Sequence, residues 1–434
     1  MRLLLPALLC ALAYTASASA EVKGAEQVIA RTVESESERS IALLERLVNQ
    51  NSGTMNLPGV EAVARMVRAE LEPLGFAVKW VPMRETGRAG HLIATHRGNG
   101  RGKRVLLIGH LDTVFEPDSP FQRFQRQGSR ATGPGIGDDK GGVVVILAAL
   151  RAMHAAGTLK KADVTIVLTG DEERTGQPLS LARRDLIEAG QRADVALEFE
   201  NVASENGTDF GTVARRSAAN WTLKVRGRTG HSSAVFGQSL GYGAIYEMAR
   251  ILDAFRRELP EPNLTYNVGV VGGGTPASLD EQGIRVTASG KTNIVAEMAI
   301  ARGDLRSLTR EQDARVRARM QEIVRQNLHG TQAELEFFDA YPPMEPTAGN
   351  RTILARLNEV NRDLGLPEMA EYDPAKRGAA DSSFVASDVD TLGGMGAAGG
   401  GAHAEGEWID LTSISRQAKR AAILISRLAQ DRRQ

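Results

Sequence analysis

His110 and Asp112 close the apolar run 105–109, and Glu172 and Glu173 close a second one, 164–169. Asp138 and Asp139 stand between them, just ahead of Lys140 and two glycines. Glu200 ends a third apolar stretch, 195–199, and His403 follows the glycine-dense loop 393–401. Short apolar runs of this kind predict buried strands, and in open α/β sheets ligands bind beyond the carboxyl ends of the strands. Imidazoles and carboxylates collected at that edge predict metal-dependent hydrolysis. Residues two apart in an extended chain point the same way, so Asp112 is placed to receive the far N–H of His110 and fix its tautomer. Glu172 and Glu173 diverge, one toward a metal and the other toward a substrate. Each feature alone also fits a plainer reading: a surface His–Asp pair, an acidic helix cap at Asp138 and Asp139, a polar loop at Glu172. The glycines of 133–137 lack the spacing of a phosphate loop and are read as letting backbone approach a metal closely. The combination points to a single centre.

The elements that must position these groups follow from periodicity. Strands are predicted at 76–81, 91–95, 105–109, 164–169 and 195–199, and helices at 34–49, 60–74 and 141–155. Alternation of the two predicts an α/β layer with a mixed sheet flanked by helices. From about residue 215 the order becomes β-α-β-β-α-β: a strand at 221–226, a helix at 241–258, strands at 266–271 and 296–305, a helix at 309–327 and a strand at 333–338. That is the ferredoxin-like split βαβ pattern, and it predicts an inserted α+β domain over 215–339. The catalytic domain is then discontinuous, 21–214 and 340–434, with final helices at 350–364 and 412–429. The Thr309 to Gln312 spacing predicts a capping box.

Composition narrows the class. The chain has 434 residues, 42% hydrophobic and 24% charged, with a formal net charge of zero. Neutrality gives no electrostatic footprint for nucleic acid or an anionic membrane. Residues 1–20 carry Arg2, an apolar stretch 3–13 and the small-residue site 18–20, the pattern of a secretory signal peptide cleaved after Ala20. A periplasmic or secreted protein is expected. Cys10, the one cysteine, lies inside that signal, so any metal must be held by His and carboxylates.

The stretches GHLDTV (109–114), GPGIGDDKGG (133–142), TGDEE (169–173), LEFEN (197–201), GRTGHSS (227–233) and GGGAHAEGEWIDL (399–411) run in order along nearly the whole chain. In these the sequence resembles the dizinc aminoacylase/carboxypeptidase metallopeptidases, the glutamate carboxypeptidase-like branch most of all. The resemblance implies a phosphorylase/hydrolase-like catalytic domain and a lid that also serves dimerisation. It implies Asp138 as a bridging carboxylate, with Asp139 in a variable slot. His110 and Glu200 would hold one zinc, Glu173 and His403 the other. Asp112 would orient His110, and Glu172 would be the general acid/base. In the lid, His231 would stabilise the developing oxyanion, reaching in from the partner of a homodimer. Asn293 and Arg306 would clamp the free α-carboxylate of the substrate.

Nitrogen and oxygen donors suit Zn2+, with Co2+ or Mn2+ as substitutes. The expected activity is that of an exported exopeptidase or amidohydrolase. It would use metal-activated water to cleave a C-terminal amino acid, glutamate or one like it, from small peptides or N-acyl amino acids. An aminoacylase would use the same residues. A non-catalytic periplasmic metal- or solute-binding protein would need the ligands but neither Asp112 nor Glu172.

Overall fold

The structure is a computed structural model that describes residues 22–433; the expected signal peptide lies outside them. Six strands form the main sheet, in the order Ala77–Pro82, Gly90–His96, Asp163–Thr169, Arg104–His110, Val195–Glu198, Thr391–Leu392. Arg104–His110 runs parallel to both its neighbours, and Gly90–His96 is antiparallel. The sheet is therefore mixed. Register places His110 opposite Thr169 and Ile108 opposite Glu198. Three strands thus end together, and the residues that follow them emerge at one edge.

The central strand is buried along its length after Arg104, because helices cover the sheet. Helix Gly142–Ala155 is buried at every position from Gly142 to Met153, as expected of a helix apolar on most faces. It packs against Thr412–Leu428 and Ala25–Ser35. Its one inward charge, Arg151, is paired: Nε reaches Glu36 at 2.8 Å and Nη2 reaches Ser40 at 2.8 Å. Buried charges persist only when satisfied in this way. Glu36 is also where the single helix predicted over 34–49 divides, into Ala25–Ser35 and Ser37–Asn49.

A second sheet of seven short strands was not foreseen. It runs Ala370–Glu371, Thr208–Gly211, Asn201–Glu205, Gly396–Gly400, Trp408–Asp410, Arg130–Thr132, Gln125–Gln127. It corrects the reading of 393–401 as a loop: Gly396–Gly400 is a strand, parallel to Asn201–Glu205. The glycines are there because neighbouring chains come too close for side chains. A Cβ on Gly396 would lie 2.0 Å from the Phe199 carbonyl oxygen, and one on Gly399 2.1 Å from that of Trp408.

Residues 218–341 build a separate four-stranded antiparallel sheet, in the order Thr265–Gly274, Met298–Arg306, Ala218–Gly227, Thr331–Tyr341. Helices Gly243–Glu258 and Arg310–Arg325 pack on it around a core of its own that includes Trp221, Phe255 and Met320. This is the predicted ferredoxin-like order, with an added hairpin, Ala277–Leu279 and Val286–Ala288. The Thr309 side chain accepts the Gln312 N–H at 3.0 Å, while Gln312 returns to the Leu308 N–H, not to that of Thr309.

Candidate metal centre

Asp138 is the hub of the site. Its Oδ1 lies 2.9 Å from His110 Nε2 and its Oδ2 lies 3.0 Å from His403 Nε2. Glu173 Oε2 meets the same His403 nitrogen at 3.1 Å. Ligand atoms of His110, Asp138 and Glu173 fall within 4.8 Å of one another, and so do those of His110, Glu172 and Glu200. Five residues predicted as ligands and one predicted as a proton carrier therefore meet in one place. His110 is 1% exposed and Glu173 4%, whereas His403 is 58% exposed. The site has a buried wall and an open rim.

Electrostatics mark a place short of positive charge. Burial pushes the Glu200 carboxyl up to about 8, beyond what Arg215 offsets. Burial likewise holds Glu172 well above the ordinary carboxyl range. Hydrogen bonds to Asp138 and Glu173 raise His403 to about 11. Burial opposes charge on His110, but Asp112 and Asp138 outweigh it and hold its pKa high. Protons here occupy places where a cation would neutralise the same carboxylates. Two imidazoles and several carboxylates, with no thiolate, form a donor set that fits zinc and similar divalent ions.

Asp112 contacts more than His110. The closest acceptor to His110 Nδ1 is the backbone carbonyl of Asp112, at 3.0 Å, with the carboxylate behind it at 3.5 Å. The carboxylate instead gathers Thr54 Oγ1 at 2.7 Å and the backbone N–H groups of Glu172 at 3.0 Å and Glu173 at 3.2 Å. It ties the strand end carrying His110 to the loop carrying both glutamates. Asp139, read as a variable slot, is fully buried, and its Oδ2 accepts the His110 N–H at 3.3 Å.

Sequence reasoning missed the supports. Glu407 is buried and accepts from the N–H groups of Gly135, Gly137 and Asp138 at 3.1, 2.7 and 2.9 Å. It fixes the loop that presents Asp138, and burial raises its pKa to about 7. Arg215, fully buried, joins Glu198 at 2.8 Å and Glu200 at 2.9 Å. Arg183 binds Asp171 at 2.6 Å and Asp381 at 2.8 Å, while Tyr341 donates to the Glu172 carbonyl at 2.6 Å. The alternation Glu198–Phe199–Glu200 after a buried strand was the one local signal available.

The lid residues are not part of this cluster. His231 is exposed, with Nδ1 at 2.8 Å from Ser233 Oγ. Asn293 is exposed, and its carbonyl accepts the Ser232 N–H at 2.9 Å. Arg306 is held by Asp304 at 3.0 Å. Within one chain, none of the three bonds to a residue of the centre.

The sequence pattern of Peptidase family M20/M25/M40 matches residues 106–427, and the chain belongs to that family. It is an enzyme of the metallopeptidase/amidohydrolase class, on a metal-dependent, glutamate carboxypeptidase-like line. Carboxypeptidase G2 of Pseudomonas sp. (strain RS-16) is 26% identical over 410 residues, 92% of each chain. The succinyl-diaminopimelate desuccinylase of Novosphingobium aromaticivorans is 28% identical, over 65% of this chain and 72% of its own length. Among solved structures, the aminopeptidase PepT of Bacillus cereus superposes with a TM-score of 0.73 at 18% identity, covering 91% of this chain and 99% of that one. The M20 family metallo-carboxypeptidase Sso-CP2 of Sulfolobus solfataricus gives 0.66 at 16% identity, covering 90% and 99%. At those identities the superpositions establish the fold.

Proposed function

We propose that this enzyme is an exported dizinc exopeptidase that removes a C-terminal acidic amino acid, glutamate or one like it, from small peptides or N-acyl amino acids. The carrying observation is Asp138, whose two carboxylate oxygens face two different histidines. Such a carboxylate is suited to bridge two cations, one shared with His110 and Glu200 and the other with Glu173 and His403. Bound there, divalent ions supply Lewis acidity and neutralise the buried carboxylates.

The chain's own groups carry the proton traffic. Glu172, as the carboxylate, takes a proton from the attacking water and delivers it to the leaving nitrogen. The water oxygen bonds to the carbonyl carbon and the C–N bond breaks. A carboxylate that accepts one proton and then gives it up serves both halves of that exchange. Asp112 holds Glu172 in line with His110 through the backbone. His231, exposed and unattached to its own centre, would act in a homodimer on the partner's substrate as an oxyanion donor. Arg306 and Asn293 would hold the α-carboxylate from the lid.

Dimerisation has a surface to match: Ile245 and Tyr246 on helix Gly243–Glu258, with Val268 and Val271 on the edge strand Thr265–Gly274, are exposed apolar groups. Export rests on the 1–20 pattern. The acidic preference rests on the branch resemblance and on the likeness to carboxypeptidase G2 across 92% of both chains.

The test is a hydrolysis screen of dipeptides and N-acyl amino acids with varied C-terminal residues, in the presence of Zn2+, Co2+ or Mn2+. Selective release of C-terminal glutamate or aspartate is expected. Release of any N-acyl amino acid alike would make the enzyme an aminoacylase. No hydrolysis at full metal occupancy would overturn the proposal.

A further inference from the structure

The segment 373–378 leads from the second sheet toward Asp381 and brings Arg377 to the edge of the centre. Arg377 Nη2 donates to the Asn201 carbonyl at 2.6 Å and lies 3.8 Å from Glu200 Oε2. Its side chain is 15% exposed. Its Nε is buried and has no partner. A guanidinium carries five donors in a rigid fork, and an unpartnered buried donor costs free energy unless something completes it.

The segment is held from both sides, so Arg377 is pre-set. Asp373 accepts the Ala375 N–H at 2.8 Å, and Lys376 reaches Glu205 at 2.7 Å. Arg216 binds the Ala375 carbonyl at 3.1 Å and Arg215 the Gly378 carbonyl at 2.8 Å. A Cβ added at Gly378 would meet nothing within 4 Å, so the segment borders open space.

Charge counting shows what Arg377 is not needed for. Arg215 already bridges Glu198 and Glu200 and is 1% exposed. The local set is two guanidiniums against two carboxylates. Once Glu200 is committed to a divalent ion, Arg215 keeps Glu198 at 2.8 Å, whereas Arg377 has no second carboxylate in ion-pair reach among the described residues, and it is the more exposed of the two, 15% against 1%.

We propose that Arg377 is a specificity-determining substrate-binding residue: its guanidinium receives a second carboxylate of the substrate, the acidic side chain of the released residue, while the α-carboxylate is held elsewhere. This rests on the exopeptidase reading above and deepens it, naming substrates that carry two anionic groups. Planar, bidentate pairing with a carboxylate is what a pre-organised guanidinium does best, and loss of one partner of a buried charge pair is expensive.

The test compares peptides ending in glutamate with those ending in glutamine, which differ by one charge at nearly equal shape. For Arg377→Gln the preference for glutamate over glutamine should collapse by about 30- to 1,000-fold, with the loss falling in KM and bound metal unchanged. Arg377→Lys should recover part of it. Equilibrium binding of N-acetylglutamate and N-acetylglutamine to metal-loaded Glu172→Gln, with and without Arg377→Gln, reads the same contact without turnover. Equal loss for both ligands, or loss of metal, would assign Arg377 to holding Glu200 and overturn the proposal. Unchanged N-acetylglutamate binding would also overturn it. If the wild type binds the dianion through Arg377 but cleaves neither peptide, the exopeptidase reading fails and the binding role stands.

Discussion

At the level of single residues, the proposed mechanism gives Glu172 and Asp112 different tasks. In the proposed mechanism Glu172 carries the proton and stands outside the set that would hold the metal. Glu172→Gln should keep its full complement of metal while kcat falls about 10²- to 10⁴-fold, measured by elemental analysis beside steady-state kinetics. Asp112→Ala should do the reverse in kind. It frees Thr54 Oγ1 and two backbone amides at once, and metal affinity should fall about 10- to 100-fold. The pH dependence follows from the protons stored in the centre. His403 keeps its proton to about 11 and Glu200 to about 8 in the metal-free protein, and metal uptake must displace both. Apparent metal affinity should therefore rise with pH. Titration calorimetry in buffers of different ionisation enthalpy should show proton release at neutral pH. The sign for stability is opposite. The folded-state pKa of Glu200 lies above its unfolded value, so the stabilisation is full below about 4.5 and fades as pH rises toward about 8. In that range the metal-free fold should weaken while the gain from added metal grows.

Secondary-structure elements decide whether these residues meet. Three parallel strands ending in register bring His110, the Glu172–Glu173 loop and Glu200 to one edge. Asp138 and His403 arrive from the second sheet's side, and Glu407 locks the first of them. Glu407→Gln should weaken metal binding, because an amide cannot accept from three backbone N–H groups as a carboxylate does. Gly396→Ala should cost about 1–3 kcal/mol of stability, seen in chemical denaturation, since its Cβ would strike the Phe199 carbonyl. The strand-end groups His110, Asp112, Glu172, Glu173 and Glu200 were legible in the sequence because each follows a run whose composition alone marks a buried strand. The supports were not. Glu407 acts on residues about 270 positions away, and no local pattern encodes such a contact. The glycine strand was invisible for a related reason: Gly396–Gly400 has no alternation to read, only the proximity of its neighbours. The lid's strand order was legible because its elements are long and periodic. The detailed Asp112 contacts were not, since backbone carbonyl and carboxylate compete for one imidazole N–H by less than an ångström.

For the molecule as a whole, the site pairs a buried wall at His110 with an open rim at His403, 1% against 58% exposed. His231 lies in the connection after strand Ala218–Gly227, capping the turn Ser232–Ala234, unattached to the centre of its own chain. If it acts across a dimer, mixing two inactive variants should restore activity. His231→Ala subunits retain Glu172, and Glu172→Gln subunits retain His231. Random exchange gives mixed dimers with one complete site, so about a quarter of wild-type activity is expected. No recovery, with dimers confirmed by sedimentation, would place His231 in its own chain's site or outside the reaction. No helix among the described residues is long and apolar enough to cross a membrane, and under the proposed dimerisation the exposed apolar groups on the lid would meet the second copy.

The account stands or falls on Asp138 joining two cations between His110 and His403. The most direct measurement is metal content per chain after chelation and reloading, with hydrolysis followed in the same samples, for the wild type and for Asp138→Ala. Two divalent ions per wild-type chain are expected, with activity that returns as they are restored, and loss of both in the variant. Full activity in thoroughly metal-free protein, or an Asp138→Ala chain that still binds two ions and turns over normally, would contradict it.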